Sequence, residues 1–135
     1  MLRIRATKLF LTQLTIALLI GITSMNAFAA PPMVTLEDAR KALEKSTKVV
    51  IDIRESYEHA NGVAKGAKLI PMSQLGARLA ELPKPGAEPF LVICNTQNRS
   101  ANIVGQLQSM GYTNASYVNG GMSQWARQAW PMVKP

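Results

Sequence analysis

Two short apolar runs, each ending in polar residues, constrain this chain more than any other feature. Lys48-Val49-Val50-Ile51-Asp52-Ile53 and Phe90-Leu91-Val92-Ile93 lack the alternation of a strand with one wet face and are too short for buried helices. Such β-branched and aliphatic runs suit strands covered on both sides, the situation inside a parallel sheet. Helical spacing appears around them. Leu36, Ala39, Ala42 and Leu43 predict an amphipathic helix over 36–45, entered through Thr35-Leu36-Glu37-Asp38, which has the form of a capping box with acids in its first turn. Ser56 is expected to cap a short helix through His59. Lys68-Leu69-Ile70 reads as a strand stopped by Pro71, and Ser73 as the cap of a helix to Leu82 with Leu75, Leu79 and Leu82 on one face. A helix from about Ser100 to Met110 turns Ile103, Val104 and Leu107 inward, with Gly111 in the position that ends helices. Ser116-Tyr117-Val118 is a last strand, and Gly120-Gly121 opens a final helix that carries Trp125 and is ended by Pro131. Strands alternating with helices predict an α/β domain with a mainly parallel central sheet flanked by helices.

The first thirty residues follow other rules. Arg3, Arg5 and Lys8 precede an apolar stretch from Leu9 to Ile22, no acid occurs in residues 1–29, and Ala27-Phe28-Ala29 is a small-residue cleavage pattern. This reads as a secretory signal cut after Ala29, leaving a single domain over 30–135 and a protein working in a bacterial periplasm, with no membrane attachment after cleavage. The charge follows the same division. Of 15 basic residues against 8 acidic in the whole chain, three of the basic ones lie in the signal, so the expected mature balance is +4. No basic run interleaved with aromatics remains, which argues against nucleic acid as a partner. A modest positive balance is compatible with a small anionic substrate. One cysteine, Cys94, and one histidine, His59, exclude an intrachain disulfide framework and a four-thiolate metal site.

In open parallel sheets ligands bind beyond the carboxyl ends of the strands. Two strand ends there carry polar residues: Asp52-Ile53-Arg54-Glu55, and Cys94-Asn95-Thr96-Gln97-Asn98-Arg99-Ser100. In the second a strand delivers a thiol into a short polar loop that runs into a helix. Inward-pointing loop amides, the helix dipole and Arg99 would together make a setting for an anion and for the nucleophilic thiolate form of a cysteine.

At these residues the chain resembles the rhodanese family of sulfurtransferases. Val50 to Glu55 is similar to the family's Asp-Val-Arg strand, and Gly62-Val63-Ala64-Lys65-Gly66-Ala67-Lys68-Leu69-Ile70-Pro71 to its Gly-His-Ile-Pro-Gly-Ala-x-x-Ile-Pro segment. Cys94 to Ser100 resembles the Cys-x-x-Gly-x-Arg-Ser loop, and Asn119-Gly120-Gly121-Met122-Ser123-Gln124-Trp125 the Gly-Gly-x-x-x-Trp tail. The segments occur in the family's order and span nearly all of the expected mature chain. The resemblance implies a rhodanese-like fold and a thiosulfate sulfurtransferase. Cys94 would be the nucleophile and Arg99 its charged partner. Asn95, Thr96, Gln97, Asn98 and Ser100 would form the substrate-binding loop, with Asp52 and Arg54 as possible supports. No metal and no organic cofactor is implied. The partners implied are a small anionic sulfur donor and a thiol or cyanide acceptor.

The departures carry expectations of their own. Gln97 stands where the family has its loop glycine, which predicts backbone strain or a different curl. Val63 and Lys65 replace the family's His and Pro. His59 has no catalytic match and is expected on the surface of its short helix, while Trp125 and Trp130 are expected to pack rather than to touch ligand. Three other activities fit parts of the pattern: a non-catalytic rhodanese-like binding module, a thiol redox or persulfide carrier, and a phosphatase or arsenate reductase with a related loop. Only four residues separate Cys94 from Arg99. This short loop predicts a pocket for one terminal sulfur atom rather than for a phosphate.

Overall fold

The two apolar runs lie side by side at the centre of a five-stranded, wholly parallel sheet. The computed structural model describes residues 29–135, so the targeting segment expected over 1–29 lies, but for Ala29, outside the described residues. Strand β1 is Met33–Val34, β2 Val49–Asp52, β3 Lys68–Leu69, β4 Phe90–Ile93 and β5 Ala115–Val118, in the spatial order β1-β5-β4-β2-β3. The central pair is in register from Val49 opposite Phe90 to Asp52 opposite Ile93. Helices α1 (Leu36–Glu44), α2 (Ser56–His59), α3 (Met72–Leu75), α4 (Asn98–Ser109) and α5 (Gly121–Arg127) connect or cover the strands. Among the described residues no helix is long and apolar enough to cross a membrane.

Both faces of the sheet are covered, which is why the runs are apolar at successive positions. On one face Ile51, Ile53, Phe90, Val92 and Cys94 pack with Val104 and Leu107 of α4 and with Leu75 of α3. On the other, Val50, Leu91, Ile93 and Val118 pack with Leu36, Ala39 and Ala42 of α1 and with Met122 and Trp125 of α5. Strand periodicity therefore sends the Cys94 side chain toward α4 and its even-numbered face-mates with it, while Ile93 points toward α5. Each large aliphatic side chain sealed in this way contributes roughly 1.5–3 kcal/mol. Two buried layers of such residues let a chain with few aromatics hold a fold.

Several boundaries differ from expectation, each for a local reason. Strand β1 was not anticipated, because two residues are too short to show a period; it adds to the sheet edge by pairing Met33 with Tyr117 and Val34 with Val118. Helix α2 is capped by Glu55 rather than Ser56, and the Glu55 N–H donates to Glu58 Oε2 at 2.8 Å. Ser73 does not cap α3, since its N–H and hydroxyl both donate to the Glu55 carboxylate, at 3.0 and 2.7 Å. The helix expected to run to Leu82 narrows to a 3₁₀ turn over Gly76–Glu81. Helix α5 stops at Arg127, well before Pro131, and Ala129 turns the chain with φ +53°. The returning tail places the Pro131 carbonyl 3.1 Å from Trp125 Nε1, and Trp130 meets Trp125 edge-on at 5.0 Å under the Arg40 guanidinium. Both tryptophans are packing residues, as expected. Thr35 caps α1 by accepting from the Asp38 N–H, and Gly111 ends α4 with φ +94°.

Candidate active site

Because the sheet is parallel, the ends of β2, β4 and β5 open on the same edge. Cys94 follows β4 directly and is almost wholly buried, with 1% of its surface exposed. Its Sγ accepts from the Ser100 N–H at 3.4 Å and lies the same distance from Ser100 Oγ, which in turn donates to the Gln97 carbonyl at 3.1 Å. The first turn of α4 thus folds back onto the sulfur, and α4 begins at Asn98, ahead of the expected start at Ser100.

The loop backbone is fixed from its other side by α5. The Met122 N–H donates to the Cys94 carbonyl and the Ser123 N–H to the Asn95 carbonyl, both at 2.8 Å. A trans peptide sets its C=O and N–H in opposite directions. With those two carbonyls turned onto α5, the N–H groups of Asn95 and Thr96 face away from it. Among the described residues no protein acceptor takes the N–H groups of Asn95, Thr96, Gln97, Asn98 or Arg99. This is a cluster of unspent donors beside one thiol, an arrangement suited to an anion. The close approach requires Gly121. It has φ +58°, and a Cβ there would lie 2.2 Å from the Thr96 oxygen and 2.5 Å from the Cys94 oxygen.

Gln97 does not strain the loop. Its φ is −145°, outside the left-handed region, so the turn closes without the glycine that the sequence pattern led one to expect. Arg99 is held by a residue that sequence reasoning passed over. Its two terminal nitrogens donate to the two oxygens of Glu58, each at 2.7 Å. The hydrogen bonds from Arg99 hold the Glu58 carboxyl down to about 2, and the same contact raises the arginine further above its usual range. The signal for Glu58 was present in the Glu55-x-x-Glu58 spacing, which has the form of a helix cap.

Asp52 and Arg54 form a second, deeper pair that makes no side-chain hydrogen bond to the loop among the described residues. Arg54 donates to Asp52 Oδ1 through Nε at 3.1 Å and to Oδ2 through its terminal nitrogen at 2.7 Å, and also to the Gly62 carbonyl at 2.9 Å. This ties the end of β2 to the segment before β3. His59 is not on the surface. It is 4% exposed, with Nε2 3.4 Å from Asp52 Oδ1 and without a hydrogen-bond partner among the described residues. Its helix is only one turn long, so the side chain after Glu58 falls inward against β2. Two cavities flank the loop. One of about 290 Å³ lies between Arg54, Glu58, Asn95 and Ser123, and one of about 310 Å³ between Met72, Asn98, Arg99 and Asn102. A larger one, about 640 Å³, lies by Thr47, Lys48 and Pro89, where the strands begin. It lies at the opposite end of the strands from Cys94 and its loop.

The pattern of a rhodanese-like domain matches residues 35–128. This chain belongs to the rhodanese-like domain family. A sulfurtransferase of Allochromatium vinosum is 31% identical over 87 residues, covering 64% of this chain and 79% of that protein. Human thiosulfate:glutathione sulfurtransferase is 29% identical over 109 residues, covering 72% and 95%. The solved human single-domain sulfurtransferase is 27% identical with a TM-score of 0.59, over 74% of this chain and 98% of that one. Other relatives are longer: the chain spans 59% of a Synechocystis protein to which it is 29% identical. The resemblance read from the sequence is thereby established for family and fold.

Two consequences of the rhodanese-like site are measurable. Gly121→Ala is expected to cost roughly 2–4 kcal/mol in urea unfolding, because the methyl group meets backbone rather than a flexible side chain. An unfolding midpoint equal to that of the parent would contradict the contact. The second concerns acid. Glu58 titrates ordinarily at 4.5 and at about 2 in the fold, so the ion pair's stabilisation is complete above its ordinary value and is lost as pH falls toward 2. The stability difference between the parent and Glu58→Gln is expected to be about 1 kcal/mol and constant above about pH 5, then to shrink on acidification. A difference that grows in acid would show that the pair is not stabilising.

Proposed function

We propose that this protein is a sulfurtransferase that carries sulfur on Cys94. It would move a sulfane sulfur from thiosulfate or a similar donor to a thiophilic acceptor such as cyanide or a thiol. The Cys94 thiolate attacks the outer sulfur of thiosulfate. The sulfur–sulfur bond breaks, and its electron pair leaves with sulfite, while Cys94 becomes a persulfide. Cyanide or a thiolate then attacks the outer sulfur and takes it, returning Cys94 to the thiolate. One transfer is thus divided into two displacements at sulfur.

The observation that carries this reading is the buried sulfur at the end of β4, met by the Ser100 N–H and bordered by unspent loop amides. Preorganised donors of this kind favour an anionic sulfur without reorganising as the charge arrives. Asn95, Thr96, Gln97 and Asn98 contribute backbone donors, Ser100 a direct contact with Sγ, and Arg99 charge near the loop. Asp52 and Arg54 support the site from below by fixing the end of β2. The human relative named for thiosulfate and glutathione makes a sulfane donor and a thiol acceptor the natural substrates to try.

Intact mass spectrometry before and after thiosulfate treatment tests the reading. The parent is expected to gain one sulfur atom, removable by cyanide with release of thiocyanate. Cys94→Ser is expected to gain none and to form no thiocyanate while keeping its fold, since Cys94 is the chain's one thiol. Thiocyanate formation undiminished in that variant would exclude the persulfide route.

We also propose export, on the basis of Arg3, Arg5, Lys8, the apolar stretch and Ala27-Phe28-Ala29. N-terminal sequencing of protein recovered from the periplasm of a bacterial host should begin at Ala30. Recovery of the full-length chain in the cytoplasm alone would refute the periplasmic assignment.

A further inference from the structure

Both guanidinium groups that line the cavities flanking the loop after Cys94 are already engaged by carboxylates. Arg54 is tied to Asp52, and Arg99 meets Glu58 through both terminal nitrogens. The residue directly after the cysteine, Asn95, is uncharged. Glu58 is itself firmly placed: its Oε2 takes the Glu55 N–H, and the Glu55 carboxylate is held by Ser73. An oxyanion arriving at Arg99 therefore finds the planar fork occupied by a carboxylate that does not swing away freely. It also meets the negative charge of Glu58, only partly exposed to solvent, with 19% of its side chain accessible.

We propose that Glu58 is a specificity-determining residue that sets the charge class of the sulfur donor. The pair leaves the loop with the partial charges of its amides but little net cationic charge. That suits the terminal sulfur of a singly charged donor better than doubly charged thiosulfate. The inference rests on the sulfur-transfer reading above and refines it: thiosulfate would be a usable donor but a disfavoured one. Specificity here comes from repulsion built against the competitor as much as from attraction for the preferred donor.

Methanethiosulfonate is the matched probe. It presents the same outer sulfur as thiosulfate, with a methyl group in place of one charged oxygen. In the first step the Cys94 thiolate takes that sulfur, the sulfur–sulfur bond breaks, and methanesulfinate leaves with the electron pair. The products carry the same total charge as the reactants. The rate of Cys94 persulfide formation is followed by intact mass with each donor, for the parent, Glu58→Gln and Glu58→Asp.

Removing the carboxylate charge should raise the thiosulfate rate relative to the methanethiosulfonate rate by about tenfold in Glu58→Gln. Glu58→Asp keeps the charge but loosens the grip on Arg99, and its rate ratio should stay within about twofold of the parent, whereas a merely structural role would move both variants alike. Equal changes with the two donors, or the same altered ratio in the Gln and Asp variants, would overturn the inference while leaving sulfur transfer standing. Absence of a persulfide with either donor in the folded parent would instead fail the sulfur-transfer reading, and this inference with it.

Discussion

The contact on which the site depends is made by backbone alone. The first amides of α5 hold the carbonyls of Cys94 and Asn95, and Gly121 lets the two chains approach closely enough for this. Without that contact the loop peptides would be free to rotate, and nothing would fix which of their two polar ends faces the sulfur. The sheet then acts at a distance. Strands β4 and β5 are neighbours, so the segment after β5 is delivered beside the segment after β4, and the glycine pair arrives where the loop needs it. Gly121, 27 positions from the cysteine in the chain, is in this way one of its nearest structural supports.

The remaining supports are ionic and arranged in depth. The Asp52–Arg54 pair is sealed inside and joins β2 to the chain before β3, while the Glu58–Arg99 pair lies nearer the solvent and joins α2 to α4. Burial makes the inner pair costly to break, because removing one partner strands a charge where water does not reach it. The outer pair is screened and contributes less to stability. Its position at the loop gives it influence over what approaches the sulfur. His59 lies against the inner pair, and its inward orientation completes a small polar cluster under the site rather than a surface feature.

Much of this was legible in the sequence because the relevant signals are local. The runs at Val49–Ile53 and Phe90–Ile93 announce covered strands, and a thiol at the end of one of them marks the candidate site. Thr35 and Gly111 mark helix ends through their own side chain or lack of one. What was missed depends on partners distant in sequence. Ser73 has the composition of a cap, but its donors are claimed by Glu55. Glu58 reads as an ordinary helix acid until α4 brings Arg99 to it. Gln97 seemed to demand strain only because glycine is the usual solution at that turn; the backbone reaches the same end with φ −145°. Strand β1 exists because β5 offers an unpaired edge, and no pattern within two residues announces that.

In the proposed sulfur-transfer cycle the depth of Cys94 would separate the carrier from its cargo. A sulfur with 1% exposure is beyond the reach of bulky thiols, and a disulfide between two copies would require their Cβ atoms to come within about 4 Å of each other. Burial of the chain's one thiol disfavours that approach. In that cycle an added sulfur atom would stand about 2 Å from Sγ along the sulfur–sulfur bond. The atom handed on would thus be a different one from the sulfur that the fold buries.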